Sequence, residues 1–160
     1  MSKPSSGLFQ GTLGEQNSLE EDYYSRYDSN VGKVLDVKSM PGSKGIEIPY
    51  RLSADQMMFL TEKYGVEFAL VYKLGKGKNG GGGQYHLFSG TRNSVDIPVT
   101  ASTILISHTH PGGTAYPSRQ DKRLMSYLAA KGSPQRTSSI VPSGKRTVRF
   151  TSKGLKNDEY

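Results

Sequence analysis

Two hydrophobic periods alternate along this chain, and the change from one to the other marks its elements. Short apolar runs rich in β-branched and aromatic residues predict strands at 46–50, 66–73, 84–90, 95–99 and 103–107. Apolar residues recur at helical spacing after two capping-box patterns, Ser-Ala-Asp-Gln at 53–56 and Ser-Arg-Gln-Asp at 118–121. These patterns predict a helix from Ser53 to about Lys63, stopped by Gly65, and a second helix from Ser118 to 132–134.

Turn residues predict how the strands connect. The glycine-rich stretch 76–83 joins two β-rich runs and is typical of a hairpin loop, because it has neither a following helix nor a Gly-Lys-Ser/Thr sequence for phosphate binding. Ser143-Gly-Lys145 predicts a second hairpin, between 138–142 and 146–150. Pro49 makes the first strand an edge strand or ends it. The order predicts an α/β (α+β) domain with a mixed, mostly antiparallel sheet, two flanking helices and a C-terminal hairpin.

Composition divides the chain into three parts. Apolar residues make up 34% of the 160 residues, and they are sparse at both ends. We therefore expect a flexible extension or linker at 1–45, a folded domain at 46–152 and a polar tail at 153–160. Within the extension, 31–37 predicts a short strand, and the tyrosines at 23, 24 and 27 could pack on the domain or on a partner.

Net charge and the absence of cysteine limit which macromolecules and metal ligands we expect. Residues 1–45 carry five Lys/Arg against six Asp/Glu, whereas residues 46–160 carry sixteen against eight, which is a net charge of +8. A basic domain attracts acidic partners, but these side chains are scattered without interleaved aromatic residues, so a solvated surface is favoured over a nucleic-acid site. The chain has no cysteine, so any metal site must use His, Asp and Glu.

The same features predict where the protein acts. No apolar run approaches the roughly 18 residues that a membrane span needs. Met1-Ser-Lys-Pro-Ser-Ser-Gly7 lacks the apolar centre of a Sec-type signal. We expect a cytoplasmic site of action and no membrane contact, and a secretion system could deliver the protein there.

The stretch 106–121 holds the densest set of chemically active residues. His108 and His110 follow a buried strand, and residues two apart on a strand share a face, so the imidazoles can converge. Asp121 falls in the first turn of the second helix and can face them, with Ser118 at its cap. Two imidazoles and one carboxylate are a common zinc site, and an open fourth position makes such a site catalytic. His86 has no such neighbours and reads as a half-buried strand residue.

A zinc hydrolase also needs a general base, and three acidic residues are candidates. Glu67 is favoured because an acid in an otherwise apolar strand needs a reason. Glu47 on the first strand is the second choice. Glu62 falls on a helix face that we expect to meet water.

His-Thr-His, seven residues, Ser118, two residues and Asp121 resemble the motif of the JAMM (MPN-type) metalloprotease family at every defining position. The resemblance extends over about 46–151. Within the family, the chain is similar to minimal bacterial JAB-like domains, including those of polymorphic toxins. It implies a cytidine-deaminase-like fold and one Zn²⁺ per chain, held by His108, His110, Asp121 and a water. It further implies Glu67 as general base and Ser118 as the donor to the oxyanion.

The resemblance implies a zinc peptidase or isopeptidase that cleaves a ubiquitin-like or other protein substrate. The toxin domain of a bacterial effector is one setting, which would bring an immunity or carrier protein as a partner. Two alternatives stay open. One is a binding module with the JAMM fold and no catalysis, and the other is a metal-dependent nuclease suggested by the basic charge.

Overall fold

The computed structural model describes residues 10–15 and 45–156, which form a mixed α+β domain. The helices are α1 (Ala54–Tyr64) and α2 (Arg119–Ala130). The strands described are β1 (Gln10–Leu13), β2 (Ile46–Ile48), β3 (Phe68–Lys73), β4 (Gln84–Ser89), β5 (Val95–Pro98), β6 (Thr103–His110), β7 (Ser138–Pro142), β8 (Val148–Thr151) and β9 (Gly154–Leu155). The predicted fold class is confirmed.

Both helices begin at the predicted caps. The Ser53 hydroxyl accepts the Gln56 N–H, and the Gln56 side chain accepts the Ser53 N–H, at 3.1 and 2.8 Å. Gly65 ends α1 in the left-handed conformation, with φ of 71°, which glycine adopts without steric cost. Neither helix in the described part of the chain reaches the length and hydrophobicity that crossing a membrane would take.

Seven strands form one sheet in the order β2-β4-β3-β6-β7-β8-β9. Its neighbours are antiparallel except β6 and β7, which run parallel, so the prediction of a mixed, mostly antiparallel sheet is confirmed. The predicted hairpins are β3–β4 and β7–β8. β2 lies at the sheet edge and ends immediately before Pro49, as expected from the missing proline N–H.

The sheet separates two hydrophobic clusters. Strand β3 feeds both, because alternate residues of a strand face opposite sides: Phe68 and Leu70 pack toward α1, whereas Ala69 and Val71 pack toward α2. The α2 cluster also includes residues of β5 and Leu13 of β1. One face of the sheet is therefore covered by α2, β1 and β5, and the candidate site lies on this face.

An irregularity in β6 decides which way the histidines face. Leu70 of β3 pairs with Ser107, but the next residue, Val71, pairs with Leu105, so β6 contains one extra residue. Such a bulge resets the alternation of side chains. As a result Leu105 and His108, three positions apart, both lie on the α2 side, and Thr109 turns toward α1.

The structure corrects both domain boundaries. Residues 10–15 lie within the fold, where β1 pairs with β5 and Leu13 is fully buried, so the prediction of a flexible extension is wrong for this segment. Residues 154–155 of the predicted tail pair with β8. Both segments are held by pairing with distant or short strands, which the local hydrophobic pattern does not predict. The tyrosine cluster and the short strand expected at 31–37 lie outside the described residues.

A closed relay of buried hydrogen bonds fixes the backbone on both sides of Glu67. The Phe68 N–H donates to the Thr109 hydroxyl at 2.9 Å, and that hydroxyl donates to Thr61 at 3.0 Å. The Thr61 hydroxyl in turn donates to the Val66 carbonyl at 2.6 Å. The relay joins α1, β6 and the start of β3, so it holds Glu67 in register with the histidine strand.

We predict that Thr109→Val lowers the free energy of unfolding by about 1–3 kcal/mol, because it leaves the buried Phe68 N–H without an acceptor. Urea denaturation measures the loss, and Thr147→Val at an exposed position is the matched control. Equal unfolding free energies for the two variants would show that the relay contributes nothing.

Candidate metal centre

The two histidines and Asp121 meet in the interior. Their side chains are fully buried, and the imidazole centroids of His108 and His110 lie 5.0 Å apart. Nε2 of His108 lies 3.1 Å from Oδ1 of Asp121, and Nε2 of His110 lies 3.1 Å from Oδ2. The ligand atoms of the three residues lie within 4.8 Å of one another. The structure thus brings together the residues predicted to hold the metal.

Helix α2 presents Asp121 to the histidines through its own capping box. The Asp121 N–H donates to the Ser118 hydroxyl, and the Ser118 N–H donates to Oδ2 of Asp121, both at 3.0 Å. Burial alone would raise the pKa of Asp121, but attraction to His108 and His110 outweighs it and lowers the pKa below its ordinary value. Asp121 is therefore ionised and directed at the imidazoles.

The imidazoles are prepared to donate lone pairs. Nδ1 of His110 lies 2.7 Å from the Thr114 carbonyl and so carries a hydrogen, while Nε2 lies 3.1 Å from Oδ2 of Asp121, where a bound cation would displace any proton from Nε2. Burial lowers the pKa of His108 and so favours the neutral ring. Among the described residues neither buried nitrogen of His108 forms a hydrogen bond, since Nε2 lies 3.1 Å from Oδ1 of Asp121 but is not aligned for one.

A divalent cation fits this group of residues. A buried imidazole nitrogen without a hydrogen-bond partner is costly, and a metal ion at Nε2 of His108 would satisfy it. Two neutral imidazoles and a carboxylate are ligands that Zn²⁺ accepts, and the three residues leave a further coordination position to be filled. The geometry supports a metal site, and the ligand types favour Zn²⁺ as the metal.

Glu67 lies beside this centre, whereas the other two candidates for general base do not. Its side chain is fully buried immediately before β3, and its Oε1 has no hydrogen-bond partner within residues 10–15 and 45–156. Burial raises the pKa of Glu67 well above its ordinary value; the Glu15 N–H opposes this rise, and the nearby carboxylates of Asp121 and Glu15 add to it. Glu47 is exposed on the edge strand β2, and Glu62 is exposed on α1.

Ser118 lies at the mouth of the site. Its oxygen accepts the Asp121 N–H, so the hydroxyl hydrogen can still be donated to a substrate. A cavity of about 580 Å³ opens here, lined by Ser118, His110, Arg119, Arg123 and Glu15 among others. The roles of Ser118 and Glu67 in a reaction stay predictions.

Sequence reasoning missed Gly14 and Glu15, which complete the site. The Gly14 N–H donates to Oδ1 of Asp121 at 2.5 Å, and the Glu15 N–H donates to Oε2 of Glu67 at 2.7 Å. The Glu15 carboxylate accepts the N–H groups of Gly112 and Thr114 at 2.8 and 3.0 Å. Their segment is short and polar, so its sequence gives no sign of this position.

We predict that the protein binds one Zn²⁺ per chain and that His108→Ala weakens binding by more than the roughly 10–100-fold typical of losing an outer-shell partner. Isothermal titration calorimetry on the apoprotein gives the stoichiometry and affinity. His86→Ala is the control, since His86 is half-buried on β4 and outside the cluster. If both alanine variants bind zinc as the wild type does, the site is misassigned.

The comparisons with known proteins support the same site. Residues 100–152 match the family described as prokaryotic homologues of the JAB domain, a stretch that includes the two histidines, Ser118 and Asp121. No curated protein and no solved structure matches the chain. The match covers 53 of the 160 residues, and the mixed sheet with its two helices is consistent with a JAB/MPN-like fold.

Proposed function

We propose that the chain is a zinc-dependent peptidase or isopeptidase. One observation carries the proposal: the successive N–H groups of Gly14 and Glu15 join the buried carboxyl group of Glu67 to Asp121 of a buried His-His-Asp group that can hold a metal ion. A structural metal site does not require such a neighbour, and a buried acid whose Oε1 has no hydrogen-bond partner among the described residues is unfavourable for stability. Metal-dependent hydrolysis of an amide uses both groups, because the metal activates a water and the acid accepts its proton.

Each residue has a distinct task in this proposal. His108, His110 and Asp121 would hold the Zn²⁺ ion, which when bound would lower the pKa of a water and polarise the carbonyl that is attacked. Glu67 would accept a proton from the attacking water and pass it to the leaving amine. Ser118 donates its hydroxyl hydrogen to the charge that develops on the carbonyl oxygen.

The cavity at the site supports a protein or peptide as the substrate. It opens beside Ser118, and Arg119 and Arg123 line it on the α2 side. Guanidinium groups bind carboxylates well, so the cavity favours acidic segments of a polypeptide. A role as the toxin domain of a bacterial effector, acting in the cytoplasm and paired with an immunity or carrier protein, is part of the same proposal and draws on the sequence resemblance.

Glu67→Gln should abolish cleavage while leaving the zinc site intact. We expect the turnover number to fall roughly 10²–10⁴-fold, because the amide cannot accept a proton. Glu47→Gln makes the same chemical change at an exposed position and should keep the wild-type rate. Proteomic detection of new N-termini in a bacterial lysate, with zinc content measured for every variant, compares the two. Cleavage by Glu67→Gln at the wild-type rate would contradict the mechanism.

Ser118→Ala should lower the turnover number about 10²–10³-fold if Ser118 donates to the developing oxyanion. The same change removes a helix cap and costs about 1 kcal/mol of stability. Ser53→Ala removes the equivalent cap of α1 and is the matched control, since it should lower stability without changing turnover. Equal turnover by the two variants would limit Ser118 to capping.

A further inference from the structure

Residues 10–15 lie along the candidate site as an extended strand. β1 pairs antiparallel with β5, with Gly11 opposite Ile97 and Leu13 opposite Val95, and these two strands form a sheet separate from the main one. Leu13 is fully buried in the hydrophobic cluster that faces α2. The strand thus follows the edge of β5 and ends at the metal centre.

The end of this strand binds the groups that the proposed reaction needs. Its N–H groups at Gly14 and Glu15 donate to Asp121 and to Glu67, the proposed metal ligand and the proposed base. The Glu15 carboxylate is held by two backbone N–H groups of the loop that follows His110. While the segment is in place, Glu67 and Asp121 have no exposed surface.

The fit depends on small residues at two positions. A Cβ at Gly14 would collide with Oε1 of Glu67 and would lie 2.6 Å from the Asn93 carbonyl oxygen, and the φ of +125° there is accessible to glycine. A Cβ at Gly11 would collide with the Leu124 side chain. Together with the buried Leu13, these contacts define the pattern Gly-x-Leu-Gly followed by an acidic residue.

We propose that the cleft between β5 and the metal centre binds one extended peptide strand of this pattern and that residues 10–15 occupy it as a built-in competitor. Substrate then binds only when the segment leaves. A segment joined to the same chain acts at an effective concentration near the millimolar range, so it suppresses weak ligands strongly. The binding claim stands without hydrolysis, and only its consequence for cleavage rests on the proposed function.

The test measures binding of a fluorescein-labelled peptide carrying residues 8–17 to the full chain by fluorescence anisotropy. Gly14→Ala should displace the segment, because the methyl group collides with Glu67. Apparent affinity rises with the fraction of open molecules, so we expect the variant to bind the peptide at least roughly tenfold more tightly than the wild type. Glu15→Gln weakens the hydrogen bonds to the two loop N–H groups and should raise the peptide affinity as well. It serves as the test variant if Gly14→Ala does not fold.

Controls separate release of the segment from general loosening. Ser53→Ala destabilises α1 without touching residues 10–15 and should bind the peptide as weakly as the wild type. A peptide with alanine in place of the residue-14 glycine should bind the open variant at least roughly tenfold more weakly, because it meets the same collision. Peptide binding by Gly14→Ala holds even if no variant hydrolyses anything, which distinguishes this inference from the proposed function.

Two results would overturn the inference. One is equal peptide affinity in wild type, Gly14→Ala and Glu15→Gln, with the fold of each confirmed by circular dichroism. The other is an intact mass showing that the wild type, but not Glu67→Gln, cuts its own chain between Gly14 and Glu15, since the segment would then be a substrate.

Discussion

The carboxylate of Asp121 is the point through which three parts of the structure are joined. It contacts both histidines of β6, receives the Ser118 N–H of its own helix, and receives the Gly14 N–H at the end of β1. An ionised group without exposed surface is stable only when its oxygens are fully satisfied. The positions of α2, β6 and β1 are therefore linked through one side chain, and a metal ion would bind at the same junction.

The surroundings of Asp121 place an energetic demand on the rest of the site. Glu67 and Glu15 bring two further carboxyl groups close to it, and their mutual repulsion is part of the reason why the pKa of Glu67 is raised. Backbone N–H groups offset part of this repulsion, because they donate hydrogen bonds to the carboxylates of Glu67 and Glu15. A divalent cation would offset more of the repulsion, which agrees with the absence, in the part of the chain that the structure describes, of a hydrogen bond to either nitrogen of His108.

The threonine relay and the bulge in β6 together position the residues of the candidate site. The relay clamps the backbone around Glu67 to the histidine strand from the α1 side of the sheet. The bulge turns His108 and His110 to the other side, toward α2. One strand thus supplies the structural hydrogen bonds on one face and the metal ligands on the other, since adjacent residues of a strand point in opposite directions.

Local chemistry was sufficient for much of this protein. The capping boxes at Ser53 and Ser118, the glycine stop at Gly65 and the hairpin turns depend on residues close in sequence, so the sequence determined both helices and both hairpins. The spacing of His108, His110 and Asp121 also sufficed to predict that these residues meet as a candidate metal site, because a strand and a helix N-terminus place such residues predictably. Only the tertiary structure decided the length of β6 and its bulge, which depend on pairing with β3. It alone also brought Gly14 and Glu15 to the site, since their hydrogen-bond partners lie 52 to 107 residues away and leave no trace in the local pattern.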